Sequence, residues 1–300
     1  VYKRQIHIAA AQIEAGLGEA FLCIGVESMT MVPQGGFNFS AHPTLYEHSD
    51  TYISMGETAE NVAHRYGVSR ADQEALAVSS HHKAAAAREA GLLKDEIVPI
   101  TLASGDWVTQ DGCIRPGTTL EALAALRPAF RADGVVTAGT SSPLTDGAVA
   151  VLVTTHAYAA RHGLAPLARI RAMATAGVDP AYMGMGPVPA TRKALARAKL
   201  SVSDLDVVEI NEAFGSQALA CIRELGLRED TVNLDGGGLS IGHPLGATGA
   251  RITGKAAALL QREKGRYALA TQCIGGGQGI ATVLEACLLY TSDAADDSLR

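Results

Sequence analysis

The spacing of apolar residues changes period along the chain, and the changes mark its elements. Ile6 to Ala15 is alanine-rich with helical spacing, and Gly16 stops it. Glu19 to Val26, EAFLCIGV, is an unbroken apolar run, which predicts a strand buried on both faces with Cys23 as a small core hydrophobe. From Thr30 to about Tyr52 the pattern dissolves into Gly, Pro, His and aromatic residues, an excursion too long for a simple connection. Helical spacing returns over Glu57 to Tyr66, then from Ser69, an N-cap with Asp72 three residues on, to about Ala90 with Gly91 as the stop. His81 and His82 sit on that helix among alanines and charges and read as a solvated face. Glu96 to Leu102 predicts a strand, Trp107 to Gly117 a loop or hairpin, and Thr118 to Arg127 a short helix. Val135 to Ala150 is rich in small hydroxyl and glycine residues, which suits a loop approaching a ligand before an apolar strand to Val153.

The last third alternates more cleanly. Helix Ala157 to His162, strand Ala168 to Ala174 and helix Pro189 to Lys199 lead through a turn at Ser201 to Asp204 into a short buried strand, Val207 to Ile210. Helix Gly215 to Glu224, strand Thr231 to Leu234, a glycine loop and a helix from about Thr248 to Lys264 follow. Tyr267 to Cys273 and Ile280 to Leu284 suit an antiparallel pair. Strands alternating with helices predict an α/β architecture.

Composition narrows the class. The chain has 300 residues, 47% hydrophobic and 19% charged, as expected of an ordinary globular protein. A net charge of -6 without a basic run argues against nucleic acid, and no apolar stretch approaches the roughly 20 residues of a membrane span. Five cysteines without framework spacing suit a reducing compartment, and no metal-binding motif is present. VYKRQ at the start and CLLYTSDAADDSLR from Cys287 join neither neighbouring period, so 1–5 and 287–300 read as non-native flanks. The terminal Ser-Leu-Arg, similar to a peroxisomal address, falls inside that tail and carries no weight.

Chemistry concentrates in two glycine-rich stretches. Gly236 to Arg251, GGGLSIGHPLGATGAR, packs six glycines around His243-Pro244. Such a density marks backbone bent sharply or brought close to a ligand, and Pro244 pins a histidine suited to act as a base of fixed direction. Alone, a His-Pro pair reads as a turn with a satisfied histidine. A second loop, CIGGGQG from Cys273 to Gly279, adds a thiol and turns the reading towards an active site. Every such group sits where a strand ends, the usual place for sites in α/β sheets.

NEAF at Asn211, GGGLSIGHPLGATGARI from Gly236 and CIGGGQGIA from Cys273, in this order, resemble the thiolase family. The resemblance extends over ESM at Glu27, MGETAENVA at Met55, SRADQEALAVSSHHKA at Ser69, TTLEALAALRPAF at Thr118 and VTAGTSSPLTDGA at Val136, covering Ile6 to Ala286. It is strongest to the degradative 3-ketoacyl-CoA thiolases of fatty-acid β-oxidation. It implies an αβαβα layered sandwich of two similar core domains with an inserted loop domain. On this chain, 6–28 and 144–166 would be the remnant of an incomplete first core domain, 29–143 the loop domain and 167–286 the second core domain.

The resemblance also implies an activity, CoA-dependent thiolytic cleavage of a 3-ketoacyl-CoA to acetyl-CoA and a shortened acyl-CoA. His243 matches the base, Cys273 a second acid/base cysteine, Asn211 the holder of an oxyanion-hole water, and Gly275 a backbone oxyanion donor. Ser142, Arg115, Met183, Ala213 and Phe214 match positions along the CoA site, although each also reads as a cap, a solvated charge or packing. Glu212 reads as structural. Coenzyme A would be co-substrate, with no permanently bound cofactor and no metal. The family implies a homodimer or homotetramer, with a β-oxidation hydratase/dehydrogenase subunit as a further partner, in a bacterial-type cytoplasm. The family's nucleophilic cysteine belongs on a loop just before the helix at Ile6, and none of the five cysteines takes its place by motif. The chain as given is therefore expected to lack turnover and to fold poorly, with an unpaired sheet edge open to aggregation. A biosynthetic acetoacetyl-CoA thiolase shares the same residues. A non-catalytic thiolase-like acyl-CoA or lipid binder is the reading from a different class.

Overall fold

Two sheets of unequal size share one long helix. The fold is taken from a computed structural model, which describes residues 4–33 and 35–287. Residues 1–3 and 288–300, most of the two flanks read as non-native, lie outside the described residues.

In chain order, helix α1 (Gln5–Glu14) leads to strand β1 (Ala20–Ser28). An inserted stretch then carries α2 (Pro43–His48), α3 (Met55–Tyr66), α4 (Arg70–Glu89), a small hairpin of β2 (Ile100–Thr101) and β3 (Trp107–Val108), and α5 (Leu120–Ala124). Strand β4 (Asp146–Thr154) returns to pair antiparallel with β1 along its whole length. Helix α6 (His156–Arg161) precedes β5 (Ala168–Gly177), α7 (Pro187–Ala198), β6 (Val207–Ile210) and α8 (Gly215–Leu225). The short α9 (Gly238–Ile241), the long α10 (Leu245–Glu263) and strands β7 (Tyr267–Ile274) and β8 (Gln278–Ala286) complete the order.

The second sheet has the order β5-β8-β7-β6, with β6 and β7 parallel and the other pairs antiparallel. Side chains alternate across it, as the pleat requires. Val208, Ile210, Leu269, Ala281 and Val283 pack on one face against α7 and α8. Val207, Ala268, Ala270 and Leu284 pack on the other against Ile252, Ala256, Leu259 and Leu260 of α10. The opposite side of α10 supplies Ala250 to a third cluster with Ile6, Ala9, Cys23 and the inward valines of β4. The layers therefore run α7/α8, four-stranded sheet, α1/α10, two-stranded ribbon.

Four expectations need correction. The apolar run of β1 predicted burial on both faces, but Leu22, Ile24 and Val26 are 59%, 59% and 68% exposed, because among the described residues nothing covers the ribbon's outer face. The strand expected over Thr231 to Leu234 is a 3-10 turn ending in a single bridge from Val208 to Val232. Asn233 has a φ of 46° there, and its side chain takes over the ladder. Its Oδ1 accepts from the Ile210 N–H at 2.9 Å and its Nδ2 donates to the Ile210 carbonyl at 2.9 Å. The strand expected over Glu96 to Leu102 shrinks to the exposed hairpin of β2 and β3, preceded by a 3-10 turn. His81 is buried rather than solvated, with Nδ1 accepting from the Arg115 N–H at 3.1 Å and burial lowering its pKa. The capping box at Ser69 and Asp72 forms as expected.

Candidate active site

Helix α10 sets the geometry. It turns directly into β7, where the N–H groups of Arg266 and Tyr267 both donate to Asp206 just before β6. The C-terminal end of α10 thus lies at the start of the parallel pair. Nineteen helical residues span about 28 Å at 1.5 Å each. The eight residues of β7 span about 26 Å. The start of α10, with His243-Pro244, therefore lies level with the far end of β7, where Cys273 is. Asn211 follows β6 at the same end, and its N–H donates to the Thr271 carbonyl on the neighbouring strand at 3.0 Å. Three groups distant in sequence are thereby brought to the same end of the parallel pair, at the carboxyl ends of the two strands.

Glycine permits the approach. A side chain at Gly238 would press on the Glu212 carbonyl and on Asn211 Oδ1, 2.7 and 2.9 Å from its Cβ. Gly242 has a φ of 101° and faces Thr145, so it is required both by conformation and by space. The loop is pinned from below by Glu212, whose carboxylate accepts from Ser80 Oγ (2.7 Å), Asn233 Nδ2 (2.7 Å) and the Leu239 N–H (3.2 Å). Burial raises its pKa despite these donors. The carboxylate is occupied by the scaffold, which fits the structural role expected for Glu212.

His243 is buried, with its N–H donating to Thr145 Oγ1 at 3.2 Å and its ring Nδ1 2.7 Å from Thr248 Oγ1. Cys273 is 1% exposed and clusters with Met183 and Ala213, with Met55 and Phe214 packed alongside. Asn211 is 1% exposed, yet among the described residues neither its Oδ1 nor its Nδ2 has a hydrogen-bond partner. A buried amide without partners is costly and marks a position made for a water or a ligand.

Most of the remaining expected positions gather here. The Ser142 N–H donates to the Ala213 carbonyl at 3.0 Å, and Ser141 bridges to Phe214, so this segment is stitched to the residues after Asn211. Phe214 meets Phe130 edge to face, with centroids 5.9 Å apart. Gly275 is exposed in the turn after Cys273, beside Met55. Arg115 belongs to a different element, exposed and tied through its backbone to His81 on α4. The other four thiols, Cys23, Cys113, Cys221 and Cys287, all have pKa values raised by burial, opposite to the shift that makes a nucleophile. Thr145 and Thr248 were not singled out by sequence reasoning; both lie within the motifs, but threonine carries no signal of its own there.

Comparison with known proteins agrees with this architecture. The thiolase N-terminal domain model matches residues 3–157 and the thiolase C-terminal domain model residues 164–286. The chain belongs to the thiolase family. Similar relatives include the 3-oxoadipyl-CoA/3-oxo-5,6-dehydrosuberyl-CoA thiolase of Escherichia coli, 48% identical over 92% of this chain and 75% of the relative. An acetyl-CoA acetyltransferase of Paracoccus denitrificans is 47% identical over 94% and 76%. A 3-ketoacyl-CoA thiolase of Shewanella baltica is 49% identical over 93% and 74%. Among solved structures, human mitochondrial 3-ketoacyl-CoA thiolase in complex with CoA superposes with a TM-score of 0.86 at 37% identity, over 95% of this chain and 76% of that one. Among the described residues no helix is long and apolar enough to cross a membrane.

Proposed function

We propose that this chain is a thiolase-type acyltransferase acting on 3-ketoacyl-CoA. In the reaction the C2–C3 bond breaks, the acyl group passes through an enzyme thiol to the sulfur of free CoA, and C2 leaves as the methyl group of acetyl-CoA. His243 takes the proton from the attacking thiol. Cys273 delivers a proton to C2 as the bond breaks. Asn211, through a water, and His243 meet one developing oxyanion, and the Gly275 N–H meets the other. Ser142, Met183, Ala213 and Phe214 line the path of the pantetheine arm, with Arg115 towards the adenine end. The observation that carries the reading is the Asn211 amide, buried and without a hydrogen-bond partner among the described residues, at the same end of the parallel pair as Cys273.

Burial raises the pKa of Cys23, Cys113, Cys221 and Cys287 and so disfavours their thiolates, which supports an acyl-accepting thiol other than these four. The test is to read the source gene upstream of the Ile6 codon, express its product and follow thiolysis of 3-ketoacyl-CoA. A cysteine before that helix, turnover, and a loss of about 100-fold or more in His243→Ala and Cys273→Ser are expected. A product without such a cysteine, binding CoA without turnover, would replace this reading with that of an acyl-CoA binder. Comparing acetoacetyl-CoA with longer substrates separates a biosynthetic from a degradative preference.

A further inference from the structure

We infer that Thr248 is a positioning residue that fixes the tautomer of His243. Its hydroxyl stands between two acceptor positions, 2.7 Å from His243 Nδ1 and 2.9 Å from the Pro244 carbonyl. A threonine hydroxyl has one proton to give. If that proton went to Nδ1, Thr248 Oγ1 and the Pro244 oxygen would face each other at 2.9 Å with no hydrogen between them, an unfavourable meeting of lone pairs. If it goes to the Pro244 carbonyl, both short contacts become hydrogen bonds, and Oγ1 accepts from an N–H on His243 Nδ1. The neutral ring is then the Nδ1–H tautomer, with its lone pair on Nε2.

Thr145 treats the backbone in the same way. Its hydroxyl donates to the Pro143 carbonyl at 2.6 Å, so its oxygen accepts from the His243 N–H at 3.2 Å. One threonine from the segment before β4 holds the main chain, and one from the first turns of α10 holds the ring. Both His243 and Thr248 are buried, so water does not compete readily for these bonds. A base must present its lone pair in a fixed direction, and the group on the other ring nitrogen decides which nitrogen that is. In this chain a hydroxyl does so, with its own proton committed to a helix carbonyl.

This inference deepens the proposed role of His243, but its test does not depend on turnover. Long-range proton–nitrogen NMR on protein labelled with 15N-histidine reads the tautomer directly, with His243→Asn assigning the signal. In the unsubstituted chain Nδ1 should give a protonated, pyrrole-type shift and Nε2 a pyridine-type shift. Thr248→Ser should preserve that pattern, and Thr248→Val should lose the pyridine-type Nε2 signal or average it with Nδ1. An Nε2–H tautomer in the unsubstituted chain, an imidazolium persisting from pH 6 to 9, or an unchanged pattern in Thr248→Val would each overturn the inference. If the valine variant does not fold, the unsubstituted and serine proteins still decide it. Absence of thiolysis in the upstream-extended product, with the Nδ1–H tautomer intact, would count against the proposed function and leave the role of Thr248 standing.

Discussion

The four-stranded sheet and the β1–β4 ribbon touch the same helix and are finished differently. The sheet has α7 and α8 on one face and α10 on the other, and its central residues Val207, Val208, Leu269 and Val283 are fully buried. The ribbon turns Val149, Val151, Val153 and Cys23 towards α1 and α10 and leaves Leu22, Ile24, Val26 and Leu152 in the open. Both have the apolar content of buried strands. A continuous apolar run therefore reports that a strand can be covered on both faces, whereas what covers it depends on partners the run does not specify.

The electrostatic contrast should give the largest difference. On the sheet side, Asp235 is nearly buried and accepts from Arg262 Nη1 and Nη2 at 2.7 and 2.8 Å, with Lys255 Nζ 2.5 Å away. Arg262 and Lys255 together hold its pKa below the usual value although burial alone would raise it. Asp235→Ala leaves Lys255 buried with Glu96 as its remaining ion-pair partner among the described residues and should cost about 3–5 kcal/mol in urea unfolding. At the edge of the ribbon, Glu19 and Arg161 are 55% and 53% exposed, and Glu19→Ala should cost no more than about 1 kcal/mol. Equal losses would mean that the two ion pairs share one solvent environment.

Packing offers a second contrast. Leu269, completely buried at the centre of the sheet, should lose about 2–5 kcal/mol as Leu269→Ala. Ile24→Ala on the open face of the ribbon should stay within about 0.5 kcal/mol. If Ile24→Ala costs as much as Leu269→Ala, that face is covered in solution, for example by a second copy, and the loss should grow with protein concentration.

The same contrast shows what the sequence could convey. β6, β7 and β8 were legible because short apolar runs bounded by turn residues coincide there with true two-sided burial. The strand expected at Thr231 to Leu234 failed because the Asn233 side chain replaces its ladder, an exchange to which apolar spacing is blind. His81 was misread because alanine neighbours look the same on a solvated helix and on one packed beneath a loop. Asn211, His243 and Cys273 stood out because glycine clusters around reactive side chains are hard to explain as packing. Thr248 did not, since a hydroxyl inside a helix is ordinary until its two acceptors are located in space.

Taken per pH unit, the last effect is smaller than either contrast above, and it is the most specific to the covered sheet. Glu209 lies on the α10 face of β6, fully buried, and among the described residues its Oε1 has no hydrogen-bond partner. Burial pushes its pKa from 4.5 up to about 8, against the pull of Arg251 and Lys255. Between these two values the folded chain keeps a proton that the unfolded chain releases. The stabilisation present below about pH 4.5 is therefore lost as the pH rises through about 8. Glu209→Gln should remove this contribution, flattening the fall in stability by up to about 1.4 kcal/mol per pH unit across that window. Ile24→Ala, on the ribbon, should leave the slope as it is. Parallel pH profiles for Glu209→Gln and the unsubstituted chain would mean that the carboxylate is ionised in the folded state. The sheet would then be less tightly closed over β6 than its burial implies, and the difference from the ribbon one of degree.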